Sequence, residues 1–216
     1  MIISIDIETI PNADAIPLLP EPDVALGNMK DPDKIAAKVE AAKAAQIDKL
    51  ALDPLYARIC CVCMVSGQYD QKTHLLAETT DAAEARLIAA VLEFLARPTV
   101  RLLSWNGIGF DLPFVYKRAL LLRVPPPAGL PALSHWTRRY NRENHIDLMQ
   151  EWGGWRDYAK LDDVARMVLG KQKIEIDFRQ FAAMIVQGEG AKIGKYCLED
   201  TRLVYELYTA MLGFLI

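Results

Sequence analysis

The spacing of hydrophobic and polar residues changes several times along this chain, and each change marks an element. Met1 to Ile7 is a β-rich run ending in polar residues and predicts a first strand. Pro11 to Pro32, dense in Pro, Asp and Asn, reads as loop. Asp33 to Leu50 is Ala-rich and follows Asp31 and Pro32, which are helix-start signals, so it predicts a helix. Its apolar face is mostly Ala and Ile and packs weakly. With its flanks, about residues 12–56, it reads as an insertion on the domain edge. Arg58 to Ser66 is nearly all apolar and predicts a strand covered on both faces. A Gly67-Gln68 turn leads to an expected third strand over Thr73 to Ala77. Thr80 to Ala96 carries Leu87, Val91, Phe94 and Leu95 at helical spacing. Val100 to Trp105 predicts a strand, Asn106 to Gly109 a turn, and Phe110 to Leu122 a helix with Pro113 tolerated in its first turn. After a Pro-rich loop over Arg123 to Pro131, His145 to Met149 predicts a short strand. Lys160 to Leu169, Phe178 to Val186 and Lys192 onward predict helices. The sum is an α/β fold, a mixed central β-sheet flanked by helices, in one domain over 1–216.

Composition narrows the function without naming it. Lys plus Arg number 25 against 28 Asp plus Glu, a net charge of -3, so no global positive field advertises a nucleic-acid partner. A polyanion would have to be held by a local patch or by metal ions. Every apolar run falls short of the roughly 18 residues a membrane span needs. The N-terminus lacks the basic start of a secretory signal. Three of the four cysteines, Cys60, Cys61 and Cys63, fall in one apolar strand and the fourth is Cys197. They read as reduced, buried thiols of a cytoplasmic protein. Cys-Cys-x-Cys matches no zinc pattern with a second pair nearby, which argues against thiolate metal chemistry.

The chemistry concentrates in three acidic clusters. In Asp6-Ile7-Glu8-Thr9, residues i and i+2 of a strand share a face, so Asp6 and Glu8 project together while Ile5 and Ile7 pack opposite. Two like charges there repel unless a cation lies between them. A solvated strand end explains the pair equally simply. In Trp105-Asn106-Gly107-Ile108-Gly109-Phe110-Asp111, a strand passes through a glycine turn into a helix. Asp111 either caps that helix or points across the C-terminal edge of the sheet, where α/β folds bind ligands. The two glycines would allow a ligand to approach closely. In Tyr196-Cys197-Leu198-Glu199-Asp200, Tyr196 and Asp200 lie one turn apart on one helix face. Each cluster alone is weak. Together they supply four oxygen donors, a set suited to two hard divalent cations about 3.5–4 Å apart, the clamp of an in-line phosphoryl displacement.

The order Asp-x-Glu, Asn-x-x-x-Phe-Asp, Tyr-x-x-x-Asp resembles the exonuclease motifs of the DEDD superfamily. Most of the chain, the segments Asn12 to Tyr56 and Val124 to Tyr140 excepted, resembles the 3′–5′ exonuclease domains of family-B DNA polymerases, standing without a polymerase. The resemblance implies a ribonuclease H-like fold. It implies two ions, Mg2+ or Mn2+, on Asp6, Glu8, Asp111 and Asp200, with Tyr196 orienting the attacking water. A sister branch uses His five residues before the last Asp, where this chain has Lys195, so the tyrosine branch is expected. Thr9, Asn106 and Phe110 match positions that contact the 3′ end of a single strand. The implied partner is single-stranded nucleic acid, DNA ahead of RNA. Protein partners are not legible. An exoribonuclease on the same site, a small-nucleotide phosphatase, and a binding module with little or no nuclease activity are the alternatives.

Several other charged groups compete for attention. Asp147 is the replacement should Asp111 cap its helix. Asp162-Asp163 reads as the cap of the helix over Lys160 to Leu169. Arg138-Arg139-Tyr140-Asn141-Arg142 and Lys171-Gln172-Lys173 are local basic clusters that could grip a strand or be solvated loops. His135 and His145 read as structural.

Overall fold

A computed structural model describes residues 1–67, 70–76, 78–138, 141–154 and 158–216, without the side chain of residue 48. Gln68, Ala77, Arg139 and Tyr140, which figure in the expectations above, lie outside the described residues. In chain order the strands are β1 (Ile2–Pro11), β2 (Ala57–Ser66), β3 (Asp70–Leu75), β4 (Arg101–Ser104) and β5 (His145–Asp147). The helices are α1 (Pro32–Lys49), α2 (Asp81–Leu95), α3 (Asp111–Leu121), α4 (Leu133–Thr137), α5 (Leu148–Gly153), α6 (Leu161–Leu169), α7 (Phe181–Val186) and α8 (Gly190–Met211). The sheet order is β3-β2-β1-β4-β5. The first three strands are antiparallel, and β4 and β5 run parallel to β1. The expected mixed α/β sheet is therefore present.

β1 sorts its residues by face. Ile3, Ile5 and Ile7 are buried in the larger apolar core, together with Leu87, Ile88 and Val91 of α2. Ser4 and Asp6 look the other way, toward α8: Ser4 Oγ donates to the Thr201 carbonyl at 2.9 Å. The helix can lie this close because its inner face carries small or apolar residues, among them Gly194, Cys197, Thr201 and Val204. β2 is buried from Ala57 to Val65, as its unbroken apolar run demands.

The departures from expectation have local causes. β1 does not stop at Ile7, because its ladder with β2 continues to the Pro11–Ala57 pair. Asp6 and Glu8 thus sit within the strand rather than at its end. On the opposite edge β4 pairs only with Ile2 to Ser4, so β1 outruns β4 where the two acids begin. The expected loop after Pro11 contains a 3-10 turn, Ala13–Leu18, and α1 ends in another, Leu50–Leu52. The third strand lies earlier, at Asp70–Leu75. α4 follows the expected Pro-rich loop in a stretch for which no element was expected. The expected strand over His145 to Met149 gives way to α5 because the Asp147 carboxylate accepts the Met149 N–H and caps that helix. Both helices are too short to show a period. The segment from Phe178 begins as a 3-10 turn (Phe178–Gln180) and becomes α only at Phe181. No helix among the described residues is long and apolar enough to cross a membrane.

Candidate active site

Three segments distant in the chain meet where β1 outruns β4. In register, Asp6 lies opposite Cys63 and Glu8 opposite Cys61. Past Ser4 the β1 backbone has no β4 partner, and the Ile7 N–H instead donates to Asp111 Oδ1 at 3.0 Å. Asp111 is the first residue of α3, and the preceding Phe110 makes no side-chain cap. Its carboxylate crosses to β1 and also takes a bond from its own backbone N–H at the start of α3, so it serves the helix start while facing the sheet edge. α8 brings the third segment. Cys197 Sγ stands 3.5 Å from Asp6 Oδ2, and Asp200 follows on the same helix. Asp200 is 4% exposed, and its Oδ1 is buried without a hydrogen-bond partner among the described residues.

Burial and mutual repulsion set the electrostatics. Desolvation first, and then the charges of Glu8, Asp111 and Asp200, push the Asp6 carboxyl well above the ordinary carboxylate range. Glu8 is raised likewise, by burial and then by Asp200. Burial lifts Asp111 to about 7, against the pull of its Ile7 hydrogen bond. Among the described residues, Lys173 is the cation acting on Asp6, Glu8 and Asp200, and its ammonium is ion-paired to Asp200 Oδ2. Four carboxylates facing one ammonium leave a surplus of negative charge. Hard oxygen donors, a buried oxygen with no partner and raised carboxyl pKa values together fit divalent cations of the Mg2+ type.

Tyr196, one turn before Asp200, rests its ring against Phe181 with centroids 5.9 Å apart. Its hydroxyl bonds toward Lys173 and Asp200, and burial, then the Asp200 charge, raise it to about 12. Lys173 is the residue that sequence reasoning missed, having placed it only in a basic cluster. The reason is tertiary. Asp162 was expected to cap α6, but the α6 N-cap, Lys160, makes no side-chain bond, and Asp162 Oδ1 instead accepts the Lys173 N–H at 3.0 Å. That contact pulls the segment after α6 back over α8.

The remaining candidates separate cleanly. Asp147, the rival acid, accepts the N–H groups of Asn106 (2.9 Å) and Ile108 (3.0 Å) and fixes the turn that aims Asp111. Asn106 there has φ of 69°, a left-handed conformation that asparagine tolerates. The turn glycines do not make room for a ligand. A Cβ on Gly107 would strike Ser104 Oγ, and one on Gly109 would meet Asn106 Oδ1, so the chain's own side chains fill both spaces. Phe110 packs against Phe114 with centroids 5.3 Å apart and stays half-buried beside the turn. Thr9 is drawn elsewhere: its hydroxyl donates to the Ala51 carbonyl at 2.6 Å, tying β1 to the turn after α1. Trp105 is anchored by its Nε1 to the Ala159 carbonyl. His145 is structural, held between Ser104 Oγ at 2.7 Å and the Trp136 carbonyl at 3.0 Å.

A five-stranded mixed sheet with helices on its faces and acids at the edge of its central strand places the protein in the ribonuclease H-like class. The structure of the family B DNA polymerase from Pyrobaculum calidifontis superimposes with a TM-score of 0.61 at 15% identity, over 98% of this chain and 24% of that one. Residues 52–214 match the family described as a predicted 3′–5′ exonuclease related to the exonuclease domain of PolB, and the chain belongs to that family. DNA polymerase 1 of Aeropyrum pernix is 31% identical over 142 residues, 61% of this chain and 14% of the polymerase. DNA polymerase 1 of Sulfolobus acidocaldarius is 28% identical over 157 residues, 67% of this chain and 17% of the polymerase. The chain thus spans a small part of these relatives. The family match begins at residue 52, so Asp6 and Glu8 join the site through geometry.

Proposed function

We propose that this chain is a metal-dependent 3′–5′ exonuclease that shortens single-stranded DNA, with two divalent cations, Mg2+ or Mn2+, held by Asp6, Glu8, Asp111 and Asp200. The single observation carrying the reading is the convergence of these carboxylates, part-buried on β1 and buried on α3 and α8, with too little positive charge among the described residues to balance them. Bound there, the ions supply a lowered pKa for water and an offset for charge on the phosphate. The chain's own residues do the positioning. A tyrosine near pKa 12 keeps its proton at neutral pH, so Tyr196 orients a water by hydrogen bonding and does not act as base. Lys173 adds one fixed positive charge beside Asp200. Asn106 and Phe110, half-buried at the turn before α3, are the residues we assign to a terminal nucleotide. A groove of about 800 Å³, lined by Lys173, Ile174, Phe178, Arg179 and Tyr196 among others, offers the strand a path beside the site. The polymerase relatives favour DNA over RNA. Residues 12–56 are proposed as an elaboration of a single domain.

End-labelled single strands of DNA and RNA, incubated with Mg2+, Mn2+ or EDTA, test the reading. Stepwise loss of 3′ nucleotides from DNA, absent in EDTA, is the expected result. Release from RNA alone would make the protein an exoribonuclease. Strand binding with no release in either metal would leave a binding module.

A further inference from the structure

A second constellation of ligand-type side chains lies beside the carboxylates. We infer that Cys61, Cys63 and Cys197 form a separate cation site for a thiophilic ion of the Zn2+ or Cd2+ class. The inference rests on sulfur positions and does not depend on the nuclease reading.

Cys61 and Cys63 are two apart on β2 and project from one face of the strand. α8 lowers Cys197 onto them, so that the three Sγ atoms lie within 4.8 Å of one another. Cys61 and Cys63 have their sulfurs 3.9 Å apart. Two sulfurs bound at about 2.3 Å to one tetrahedral zinc are roughly 3.8 Å apart, so this pair already has the spacing of a shared ion. All three are free thiols with no exposed surface. Cys63 Sγ lies 3.3 Å from Thr73 Oγ1, a hydroxyl able to donate to the thiolate and so orient it; the bond its S–H gives to the Gly194 carbonyl at 3.7 Å is lost when the proton leaves. Asp6 Oδ2, 3.5 Å from Cys197 Sγ, supplies an oxygen toward the fourth position.

Donor type separates this site from its neighbour. Thiolates take soft or borderline ions and leave Mg2+ to carboxylates. Loading would release one proton from each thiol as its sulfur–metal bond forms. Because Asp6 borders both sites, a thiophilic ion would also withdraw Asp6 from the carboxylate cluster. On the proposed function, that makes the site inhibitory. The cysteine spacing in the sequence argued against such chemistry only because the third ligand comes from a helix far along the chain.

Titration of the metal-free protein with Cd2+, in excess Mg2+, tests the inference. The expected result is a thiolate-to-cadmium absorption band in the ultraviolet that saturates at one ion per chain, with one Cd2+ retained in native mass spectrometry. Cys197→Ala should weaken Cd2+ binding at least about tenfold, the usual scale for losing a supporting metal contact. Cys60→Ala, outside the trio, should leave it unchanged. Cys63→Ala replaces Cys197→Ala if the latter fails to fold. No thiolate band at one equivalent in the native protein would overturn the inference, as would equal affinity in the Cys197 and Cys60 variants. Failure to release nucleotides in Mg2+ before any Cd2+ is added would sink the proposed function and leave this site standing.

Discussion

Two regions of this molecule bury acidic groups, and they solve the problem in opposite ways. Glu84, with no exposed surface, receives the Arg118 guanidinium on both oxygens at 2.8 and 2.6 Å, and the Ile59 N–H at 2.9 Å. Arg58 adds its Nε at 3.4 Å and pairs onward with Asp81. The charges around Glu84 are balanced from within the chain, although Arg58 Nε, 3.4 Å from it, makes no hydrogen bond among the described residues. Around Asp6, Glu8, Asp111 and Asp200 they are not: among the described residues, Lys173 is the cation in contact, and Asp200 Oδ1 has no hydrogen-bond partner. A balanced buried network rigidifies a fold, whereas an unbalanced one is a standing demand for something from outside. That contrast, more than the presence of acids, marks the second region as a site.

The contrast breaks first on paired substitutions. Asp6→Asn should reduce nucleotide release by on the order of 10²–10³ or more, the scale of removing one preorganised electrostatic group. It should leave the metal-free melting temperature unchanged or higher, since it removes a repelling charge. Glu84→Gln should do the reverse. Stripping one partner from a buried ion network costs about 3–5 kcal/mol. At roughly 2–4 °C per kcal/mol for a chain of this size, that lowers the melting temperature by about 10 °C. The turnover per folded molecule should persist. Thermal scans beside gel assays of both variants decide it, and an Asp6→Asn that melts early yet still cleaves would dissolve the distinction.

How much of this was legible in the sequence follows from the range of each signal. β2 and α2 could be read because burial imposes its period on every residue. The four acids stood out as candidates because each sits at a strand or helix position whose geometry is local. Asp111 and Asp147 could not be ranked, since one follows β4 and the other ends β5, strands that prove to be parallel neighbours. What separates them is which backbone N–H groups lie opposite: the Asn106 and Ile108 amides consume Asp147, while Asp111 spends one oxygen on Ile7. Lys173 and the Cys197 contact were invisible because they depend on a coil folding back and on how closely α8 approaches the sheet. The length of β1 was underestimated because polar residues at 6, 8 and 9 look like an ending. They are tolerated mid-strand because β1 outruns β4 there.

Metal addition sharpens the comparison further. At a concentration of about 100 Kd, Mg2+ or Mn2+ should stabilise the protein by about 2.7 kcal/mol. That corresponds to a rise of roughly 5–10 °C in melting temperature. Asp6→Asn should lose this gain and Glu84→Gln should keep it. The effect should grow with pH. Asp111 has a folded pKa raised to about 7, so the neutral form is favoured in the fold, and its contribution to stability is present at low pH and lost as pH rises through 7. His145 works oppositely. Its pKa is lowered to about 4 by burial, so its contribution is present above 6.5 and lost as pH falls toward 4. The Asp111 loss runs from about pH 4 to about 7, and His145 stops opposing it above 6.5. The EDTA-treated protein should therefore melt earlier as pH rises from 6.5 to 7 and level off beyond, while saturating Mg2+ should flatten the trend. A Mg2+-induced rise in melting temperature that is no larger at pH 7.5 than at pH 6 would remove Asp111 from the ion site.

The smallest effect expected is that of Tyr196→Phe, and it tests whether the chain positions water independently of the metal ligands. The ring would still lie against Phe181, so packing should survive. Only the hydroxyl that reaches toward Asp200 and Lys173 is lost. A hydroxyl that orients but does not deprotonate supplies one neutral hydrogen bond, worth about 0.5–1.5 kcal/mol. The rate of nucleotide release should then fall about three- to tenfold, with the Mg2+-induced rise in melting temperature intact. Retention of the parental rate would remove Tyr196 from the machinery. Loss of the metal-induced stabilisation would instead make it part of the ion site. In either case, the division of labour between carboxylates that bind and a tyrosine that orients would have to be redrawn.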